Sequence, residues 1–223
     1  MHERAVATRS SFVELSVVNG RHLVRDPRTG LATVFVFAFY LVVVFVLDAT
    51  FADGAAQVDL VRLNLGTALG VGLMSIAFLG TAVPLVALRE RGTLRLLGTT
   101  PVPRGLFLLS MLPVRVVLAA GEGLVVLVIA AAAGYTGGAG AGRLAVTMIL
   151  GIAMLFALAL LFAARARSAE TAQQAMATLP LLLIAPGGGI IPVGLLPDAV
   201  QVVCNAIPTT WLIAALGVDL AGT

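Results

Sequence analysis

The sequence RERGTLRLLGTTPVPR, residues 89–104, divides two of the most apolar segments of the chain and decides how the fold is organised. It carries four arginines, whereas the segments on either side, residues 63–88 and 108–133, are long enough to cross a membrane. A short polar segment between two membrane spans lies where a partner protein can contact it. We call residues 89–104 the polar island and expect it to dock a cytoplasmic partner.

The composition is that of a membrane protein. Apolar residues make up 60% of the 223 residues and charged residues only 11%, whereas a soluble domain is about half apolar and about a quarter charged. Lipid must therefore be the main solvent, and helices are the spanning structure that such long apolar runs form. We predict an all-α integral membrane protein with a cytoplasmic amphipathic helix in residues 1–29 and a transmembrane domain in residues 30–223. Because residues 1–30 carry arginines throughout, no signal peptide is expected.

The basic residues exclude several kinds of chemistry. All fourteen are arginine and none is lysine, so the chain lacks the lysine that a P-loop places on phosphates and an amine for Schiff-base chemistry. The chain has two histidines, His2 and His22, and one cysteine, Cys204. These are too few for a zinc site or a disulfide within one copy. We expect no catalytic residue, metal site or cofactor in this chain, and no nucleic-acid partner. The energy must come from another protein.

Five segments reach the roughly 20 apolar residues that a membrane helix needs, namely residues 30–47, 63–88, 108–133, 144–164 and 174–196. Residues 199–217 form a weaker sixth candidate, because Asn205 and Pro208 interrupt it. An interfacial helix or a broken hairpin is favoured there over a full span. The sequence thus predicts five to six transmembrane helices.

Arginine placement predicts the orientation, since arginines concentrate in cytoplasmic loops. Most arginines outside the spans lie before the first span, between the second and third, or after the fourth, at positions 4, 9, 21, 25, 28, 89, 91, 95, 104, 165 and 167. The alternate loops hold only Arg62 and Arg143. We therefore expect a multi-pass plasma-membrane protein with a cytoplasmic N-terminus and a cytoplasmic polar island.

A helix start precedes the first span. Residues 11–14, SFVE, form a capping box, in which the serine and glutamate satisfy backbone groups of the first turn. The helix is expected to end near Pro27 and to place Phe12, Leu15 and Val18 on one face. This pattern favours an in-plane amphipathic helix on the membrane surface over a simple soluble tail.

Two charged residues fall inside the third span. Arg115 lies near its cytoplasmic end, just past Pro113, where we expect it to reach the lipid headgroups. Glu122 lies deeper between Gly121 and Gly123, which allow another helix to approach. Glu122 is a candidate for the translocation path or a subunit interface, and a purely structural carboxyl is the alternative.

The sequence PGGGIIPVGLLP, residues 186–197, breaks any helix within the apolar region. Broken backbone at membrane depth is tolerated only where protein or a water-filled cavity covers it. We therefore predict an extracytoplasmic re-entrant helical hairpin over about 186–211, with a kinked ordinary span as the alternative. The candidate gate residues are Pro186, Gly187, Gly188, Gly189 and Pro192.

With these features in order, the chain resembles the membrane subunits of the ATP-binding-cassette (ABC) type-2 permease family, which includes drug-resistance exporters. Four stretches carry the resemblance: VRDPR at 24–28, ERGTLRLLGTTPVPR at 90–104, AETAQQA at 169–175, and the run from PGGGIIP at 186–192 through LPD to IPTTW at 207–211. The resemblance covers nearly the whole chain. The polar island is its most specific part.

The resemblance implies a partner-driven mechanism. The polar island is similar to a coupling helix that docks into a separate ATPase subunit, and two ATPase copies with two permease copies, expected to be a homodimer, would form the exporter. ATP and Mg would bind the partner. The positions expected on the coupling segment are Glu90, Arg91, Gly92, Thr93, Leu94, Leu97, Thr99, Thr100 and Pro101. Arg95 stands where the family often has an acidic residue, and the family usually continues into a sixth span that would be truncated here.

The cargo is expected to be a hydrophobic or amphipathic small molecule such as a drug, an antibiotic or a lipid-like compound, exported from a bacterial cell. Export of a lipid-linked polysaccharide by a relative of the same family is an alternative. The 6% aromatic content disfavours it, because sugar channels use aromatic rings for stacking. A non-transporting membrane anchor or assembly factor is the alternative from another class.

Overall fold

The computed structural model describes residues 12–21, 27–51, 59–94, 103–135, 141–184 and 197–222, and every regular element within them is helical. Residues 12–21 form α1. The following helices are α2 (Pro27–Phe51), α3 (Leu60–Ala77), a π-helix (Phe78–Ala82), α4 (Val83–Glu90), α5 (Arg104–Leu109), α6 (Leu112–Ala132), α7 (Ala141–Arg165), α8 (Ala169–Ile184), α9 (Asp198–Asn205) and α10 (Pro208–Ala221). The all-α prediction is confirmed for this part of the chain.

Four helical stretches in the described residues are long and apolar enough to cross a membrane, namely Gly30–Phe51, Leu60–Glu90, Gly105–Ala132 and Gly142–Arg165. They match the first four predicted spans. The bent pair α9–α10 would add a fifth if it counts as one span. Helix α8 covers the beginning of the predicted span 174–196, and residues 185–196 lie outside the described part.

Helix α3 is the centre of the bundle. From Leu65 to Ala77 every side chain is buried, because α2, α6, α7, α8 and α10 all pack against it. A helix that is apolar all round and buried is expected at such a position. Its glycines make this possible: a Cβ on Gly66 would lie 2.4 Å from the backbone nitrogen of Gly217 in α10. Small residues let helices approach closely in a membrane, where hydrophobic driving force between helices is weak.

Contacts along α3 define the two ends of the bundle. Thr33, at the start of α2, lies beside Ser75 and Gly80, whereas Asp48 near the end of α2 accepts a hydrogen bond from the Leu60 backbone N–H. Helices α2 and α3 are therefore antiparallel. We call the end with Arg89, Arg91, Arg165 and Arg167 the arginine-rich end, and the end with Asp48, Asp59 and Arg143 the opposite end.

The weak sixth segment forms two helices bent by 89°. Helix α10 runs antiparallel to α3, since Ile213 contacts Gly70 and the Ala221 carbonyl contacts Arg62. Its 14 residues extend about 20 Å along α3 from the opposite end. Leu212, Ile213, Leu216 and Leu220 are all at least 93% buried. The bend at 89° fits either a broken span or a re-entrant hairpin.

Helix α1 packs on the arginine-rich end. The Asn19 amide donates to the Ser110 hydroxyl over 3.0 Å, and Gly20 faces Val114. Phe12 and Leu15 are half-buried on that side, whereas Val18 is 59% exposed. The shared apolar face of Phe12, Leu15 and Val18 that the sequence predicts against lipid stays a prediction.

Candidate functional site

The polar island begins where the long helix from α3 to α4 stops. Arg91 follows the last residue of α4, and Gly92 adopts φ +72°, a left-handed conformation that ends helices and favours glycine. The Gly92 N–H donates to the Arg89 carbonyl. Residues 93 and 94 are helical again. The island therefore starts with a sharp change of chain direction at Gly92.

The described part of the island leaves its first residues accessible. Glu90 and Arg91 are exposed, and Gly92, Thr93 and Leu94 are half-buried. The remaining predicted coupling positions, Leu97, Thr99, Thr100 and Pro101, lie outside the described residues.

Arg89, which sequence reasoning did not select, connects the island to α7. Its Nη1 donates to the carbonyls of Ala163 and Ala164 over 3.1 and 3.3 Å, and its Nη2 donates to the Ala166 carbonyl. The last carbonyls of a helix lack partners within the helix and carry partial negative charge. The Arg89 guanidinium therefore caps the C-terminal end of α7. No spacing rule in the sequence relates residue 89 to residues 163–166.

Arg115 does not reach the headgroups as we expected. It is only 8% exposed, its Nε donates to the Thr81 hydroxyl over 3.0 Å, and its Nη2 donates to the Gly80 carbonyl. Gly80 and Thr81 belong to the π-helix, where the widened turn disturbs the regular α-helical hydrogen bonds. Arg115 thus braces this turn from the neighbouring helix. The expectation was wrong because the sequence of α6 gives no sign of a π-helix in α3.

Glu122 lies inside the bundle and not on its surface. It is 6% exposed, and neither carboxyl oxygen has a hydrogen-bond partner among the described residues. A Cβ on Gly72 of α3 would lie 2.2 Å from Glu122 Oε2 and 3.0 Å from the Phe37 ring. Gly72 therefore provides the space for the carboxyl group. The two neighbouring glycines behave differently: Gly123 faces Met148 of α7, whereas Gly121 has open space around it.

The bend between α9 and α10 is held by side chains of the IPTTW motif. The Thr210 hydroxyl donates to the Cys204 carbonyl over 2.8 Å, and the Trp211 indole N–H donates to the Asn205 carbonyl over 2.7 Å. Both carbonyls lie at the end of α9, and the Cys204 carbonyl also accepts from the Ile207 backbone N–H over 3.1 Å. Pro208 occupies the first turn of α10, where its missing N–H is no loss. The motif therefore holds the bend through side-chain hydrogen bonds to the end of α9.

The C-terminal end of α10 is fixed by α7 and α3. Arg143 Nε lies 2.5 Å from Asp219 Oδ1, and the Thr147 hydroxyl donates to Asp219 Oδ2 over 2.6 Å. The Asp219 side chain is fully buried. Arg62 donates through Nε and Nη2 to the Ala221 carbonyl, each over 3.2 Å. Arg62 of α3 and Arg143 of α7 thus both hold the C-terminal end of α10.

Tyr135 and Asp59 form a neighbouring contact at the opposite end. The Tyr135 hydroxyl lies 2.7 and 2.6 Å from the two Asp59 carboxyl oxygens. Partial burial, and then the hydrogen bond to Asp59, raise the pKa of Tyr135 to about 12. The Arg62 guanidinium lies 6.0 Å from the centre of the Tyr135 ring. This contact ties the end of α6 to the start of α3.

The predicted gate residues Pro186, Gly187, Gly188, Gly189 and Pro192 lie outside the described residues. Within the residues that the structure does describe, no three His, Cys, Asp or Glu side chains come together as a metal site would require. The structure therefore places the first residues of the polar island, Glu122 and the bent helix pair in one bundle, and it leaves the PGGG segment undescribed.

The long apolar helices define a multi-pass membrane protein. The family model described as ABC-2 type transporter matches residues 14–218, so the chain belongs to the ABC-2 type transporter family. No curated protein and no solved structure matches the chain significantly. Membership makes the chain the permease component of an ABC exporter and not a catalytic subunit, and such permeases normally work with an ATPase partner.

Proposed function

We propose that this chain moves a hydrophobic or amphipathic small molecule out of the cytoplasm, using ATP hydrolysed by a separate subunit. The match to the ABC-2 family over residues 14–218 carries the proposal. The apolar bundle and its many small residues support such a cargo, since they offer few polar groups to bind an ion or a sugar. The ATPase would hold the ATP and Mg.

The polar island is the proposed coupling helix, over about 89–104. It follows Leu60–Glu90, the longest helical stretch in the described residues, whose α3 part forms the centre of the bundle. Glu90 and Arg91 are exposed and offer both signs of charge to a partner. The other positions proposed for docking are Gly92, Thr93, Leu94, Leu97, Thr99, Thr100 and Pro101.

The arginine asymmetry supports a plasma-membrane protein with the arginine-rich end and the N-terminus in the cytoplasm, as in a bacterial exporter. Helix α1 would then lie in the plane of the cytoplasmic leaflet. The opposite end, with the α9–α10 pair, would face outward. The proposed re-entrant hairpin over about 186–211 would close the outer end, with Pro186, Gly187, Gly188, Gly189 and Pro192 at the gate.

Glu122 is a proposed polar position of the translocation machinery. Its buried carboxyl lies against Gly72 at a junction of α2, α3 and α6, so any movement among these helices changes its surroundings. A group that is desolvated in one arrangement and hydrated in another biases the equilibrium between the two. Glu122→Gln preserves the shape and should leave the fold intact while lowering transport. Unchanged transport at unchanged expression would remove this role.

The proposed assembly contains two copies of this chain and two ATPase copies. Exposed apolar side chains line one side of α2, among them Phe35, Phe39 and Val42. Such a face suits lipid or another permease copy. A homodimer is the simplest assembly.

A lipid-linked polysaccharide cargo and a non-transporting membrane anchor are the competing functions. To distinguish the three, the tagged chain is purified from its natural host with its co-purifying ATPase and reconstituted into vesicles. Uptake of a fluorescent hydrophobic drug and of a lipid-linked oligosaccharide is then measured. The control carries an ATPase whose P-loop lysine is changed to alanine. ATP-dependent movement of the drug supports the proposal, and hydrolysis without movement of either cargo supports an anchor.

Coupling through the island is tested by charge reversal. Glu90→Arg should reduce ATP-dependent transport, because Glu90 lies exposed at the start of the island. Glu170→Arg is the matched control, since Glu170 is also exposed at the arginine-rich end but lies in the first turn of α8. Equal transport by both variants would contradict the docking role of Glu90.

A further inference from the structure

Helix α7 contacts both the start of the polar island and the bent helix pair. It is an unbroken helix of 25 residues, about 37 Å long, and runs from the opposite end to the arginine-rich end. The alternative path through α3 and α4 is interrupted by the π-helix Phe78–Ala82. A widened turn of this kind is a common site of local adjustment. Helix α7 is therefore the stiffer connection between the two regions.

At the arginine-rich end, α7 is held by a charged side chain of α4. Arg89 donates to the carbonyls of Ala163, Ala164 and Ala166, as described above. Arg89 is the first residue of the island and lies three residues before the turn at Gly92. A displacement of the island that moves Arg89 must either move the end of α7 or break these charge-assisted hydrogen bonds.

At the opposite end, α7 holds α10 at two points. Arg143 and Thr147, one helical turn apart, both bind the buried Asp219 carboxylate. Deeper in the bundle, a Cβ on Gly151 would lie 2.5 Å from Leu212 Cδ1, so Leu212 fills the space that Gly151 leaves. The two contacts fix both the position and the rotation of α10 against α7.

We infer that α7 transmits the movement of the polar island to the α9–α10 pair, and that Arg89 and Asp219 are the positioning residues at its two ends. The inference rests on the proposed function, since it requires an ATPase that acts on the island. It goes beyond that function because it assigns the transmission to α7 and to two residues that touch neither ATP nor cargo. Tightly packed elements shift between discrete arrangements, so a rigid helix held at both ends moves α10 with it.

The chain provides its own reporter. Trp211 is the only tryptophan, lies at the start of α10, and is 64% exposed. The permease is labelled with 5-fluorotryptophan, assembled with its unlabelled ATPase, and observed by ¹⁹F NMR with and without Mg²⁺ and a non-hydrolysable ATP analogue. The measured quantity is the fraction of the Trp211 signal that shifts when the nucleotide binds. ATP hydrolysis is measured in the same preparations.

The variants are Arg89→Gln, which removes the charge and the fork of donors, and Asp219→Asn, which removes the ion pair with Arg143. In each variant, the fraction of the Trp211 signal that shifts when the nucleotide binds should fall about tenfold. A tenfold change corresponds to the loss of about one charge-assisted hydrogen bond. Assembly with the ATPase and ATP hydrolysis should persist in Asp219→Asn, because Asp219 lies at the opposite end of the bundle from the island. The matched control is Arg167→Gln, an exposed arginine at the same end as Arg89, and it should respond as the wild type does.

A wild-type response in Arg89→Gln or in Asp219→Asn would overturn the inference, since transmission through α7 needs both ends. If Arg89→Gln does not assemble, Asp219→Asn, which lies far from the ATPase, decides the question alone. Failure of the proposed function looks different, because then the wild type itself neither retains an ATPase nor shows a nucleotide-dependent Trp211 signal.

Discussion

Replacing Gly66 by alanine tests how closely α3 and α10 are packed. The added Cβ would lie 2.4 Å from the Gly217 nitrogen, 2.7 Å from the Gly217 Cα and 2.9 Å from the Ile213 carbonyl oxygen. All three atoms belong to the backbone, so no side-chain rotation relieves the clash. Ordinary contact begins at 3.4 Å, and the helices must therefore separate locally by about 1 Å.

The cost follows from the side chains of α10 that lose contact. A buried leucine or isoleucine makes roughly 50 contacts of about 0.1 kcal/mol each, and a gap of this size forfeits at least a quarter of those that face it. With about half of the contacts directed at α3, the loss is about 0.6 kcal/mol per residue. For Ile213, Leu216 and Leu220 together this amounts to about 2 kcal/mol, within the usual range for overpacking.

Alanine also favours the helix by about 1 kcal/mol over glycine, so Gly66→Ala should destabilise the protein by about 1 kcal/mol net. Two matched variants separate the cost of the clash from the gain in helix preference. At Gly70 the clash is with the Ile213 side chain at 2.9 Å, which can rotate, and at Gly121 nothing lies within 4 Å. Gly70→Ala should therefore be near neutral, and Gly121→Ala should stabilise by up to about 1 kcal/mol.

The free energy of unfolding is measured by titrating sodium dodecyl sulfate into mild-detergent micelles and following helix content by circular dichroism. The expected order of stability is Gly121→Ala, then Gly70→Ala, then Gly66→Ala, with a spread of about 2 kcal/mol. If Gly66→Ala is as stable as Gly121→Ala, the close approach of α3 and α10 is refuted.

Three further substitutions test other contacts by the same titration. Arg115→Ala should lower the free energy of unfolding by about 2–3 kcal/mol, because it leaves the buried Gly80 carbonyl without this donor; a loss below about 0.5 kcal/mol would contradict the bracing role. Gly92→Ala should lower the free energy of unfolding by about 1–2 kcal/mol, since φ is +72° at this position. An unchanged midpoint of the unfolding titration would argue against the left-handed turn at Gly92. Burial and the hydrogen bond to Asp59 favour the neutral phenol of Tyr135 and raise its pKa to about 12, above the unfolded value of about 10. The stability that Tyr135 contributes is therefore present below pH 10 and lost between pH 10 and 12. In that window the free energy of unfolding of the wild type should fall relative to that of Tyr135→Phe, and parallel pH curves for the two proteins would exclude the effect.

Most of the secondary structure was predictable because apolar length is a local property of the sequence. The four spans found in the described residues lie at the first four predicted positions, with boundaries that differ by a few residues. The interruption at Asn205 and Pro208 was also predictable, since proline cannot continue a helix. The close packing of α10 against α3 was not predictable. It depends on the glycines of α3, and small residues are equally common in membrane helices that pack nowhere in particular.

The polar contacts were the least predictable part of the site. Arg115 was assigned to the headgroups because its distance from the span end allows it, and only the position of the π-helix changes that assignment. Arg62 and Arg143 were treated as exceptions to the charge asymmetry, yet both hold the end of α10. Each of these contacts joins residues more than 30 positions apart, and a single sequence carries no sign of such pairs.

The way α10 is held indicates how it could move. Its described polar contacts lie at its two ends, where Thr210 and Trp211 bind the end of α9 and Asp219 binds α7. Between the ends, α10 meets α3 and α7 through apolar side chains set against glycines, and this contact has no hydrogen bond to break when the helices slide. The free-energy difference between two positions of α10 is therefore concentrated in the end contacts. Substitutions at the ends should change the balance between states, whereas substitutions at Gly66 or Gly151 should change the stability of the bundle as a whole.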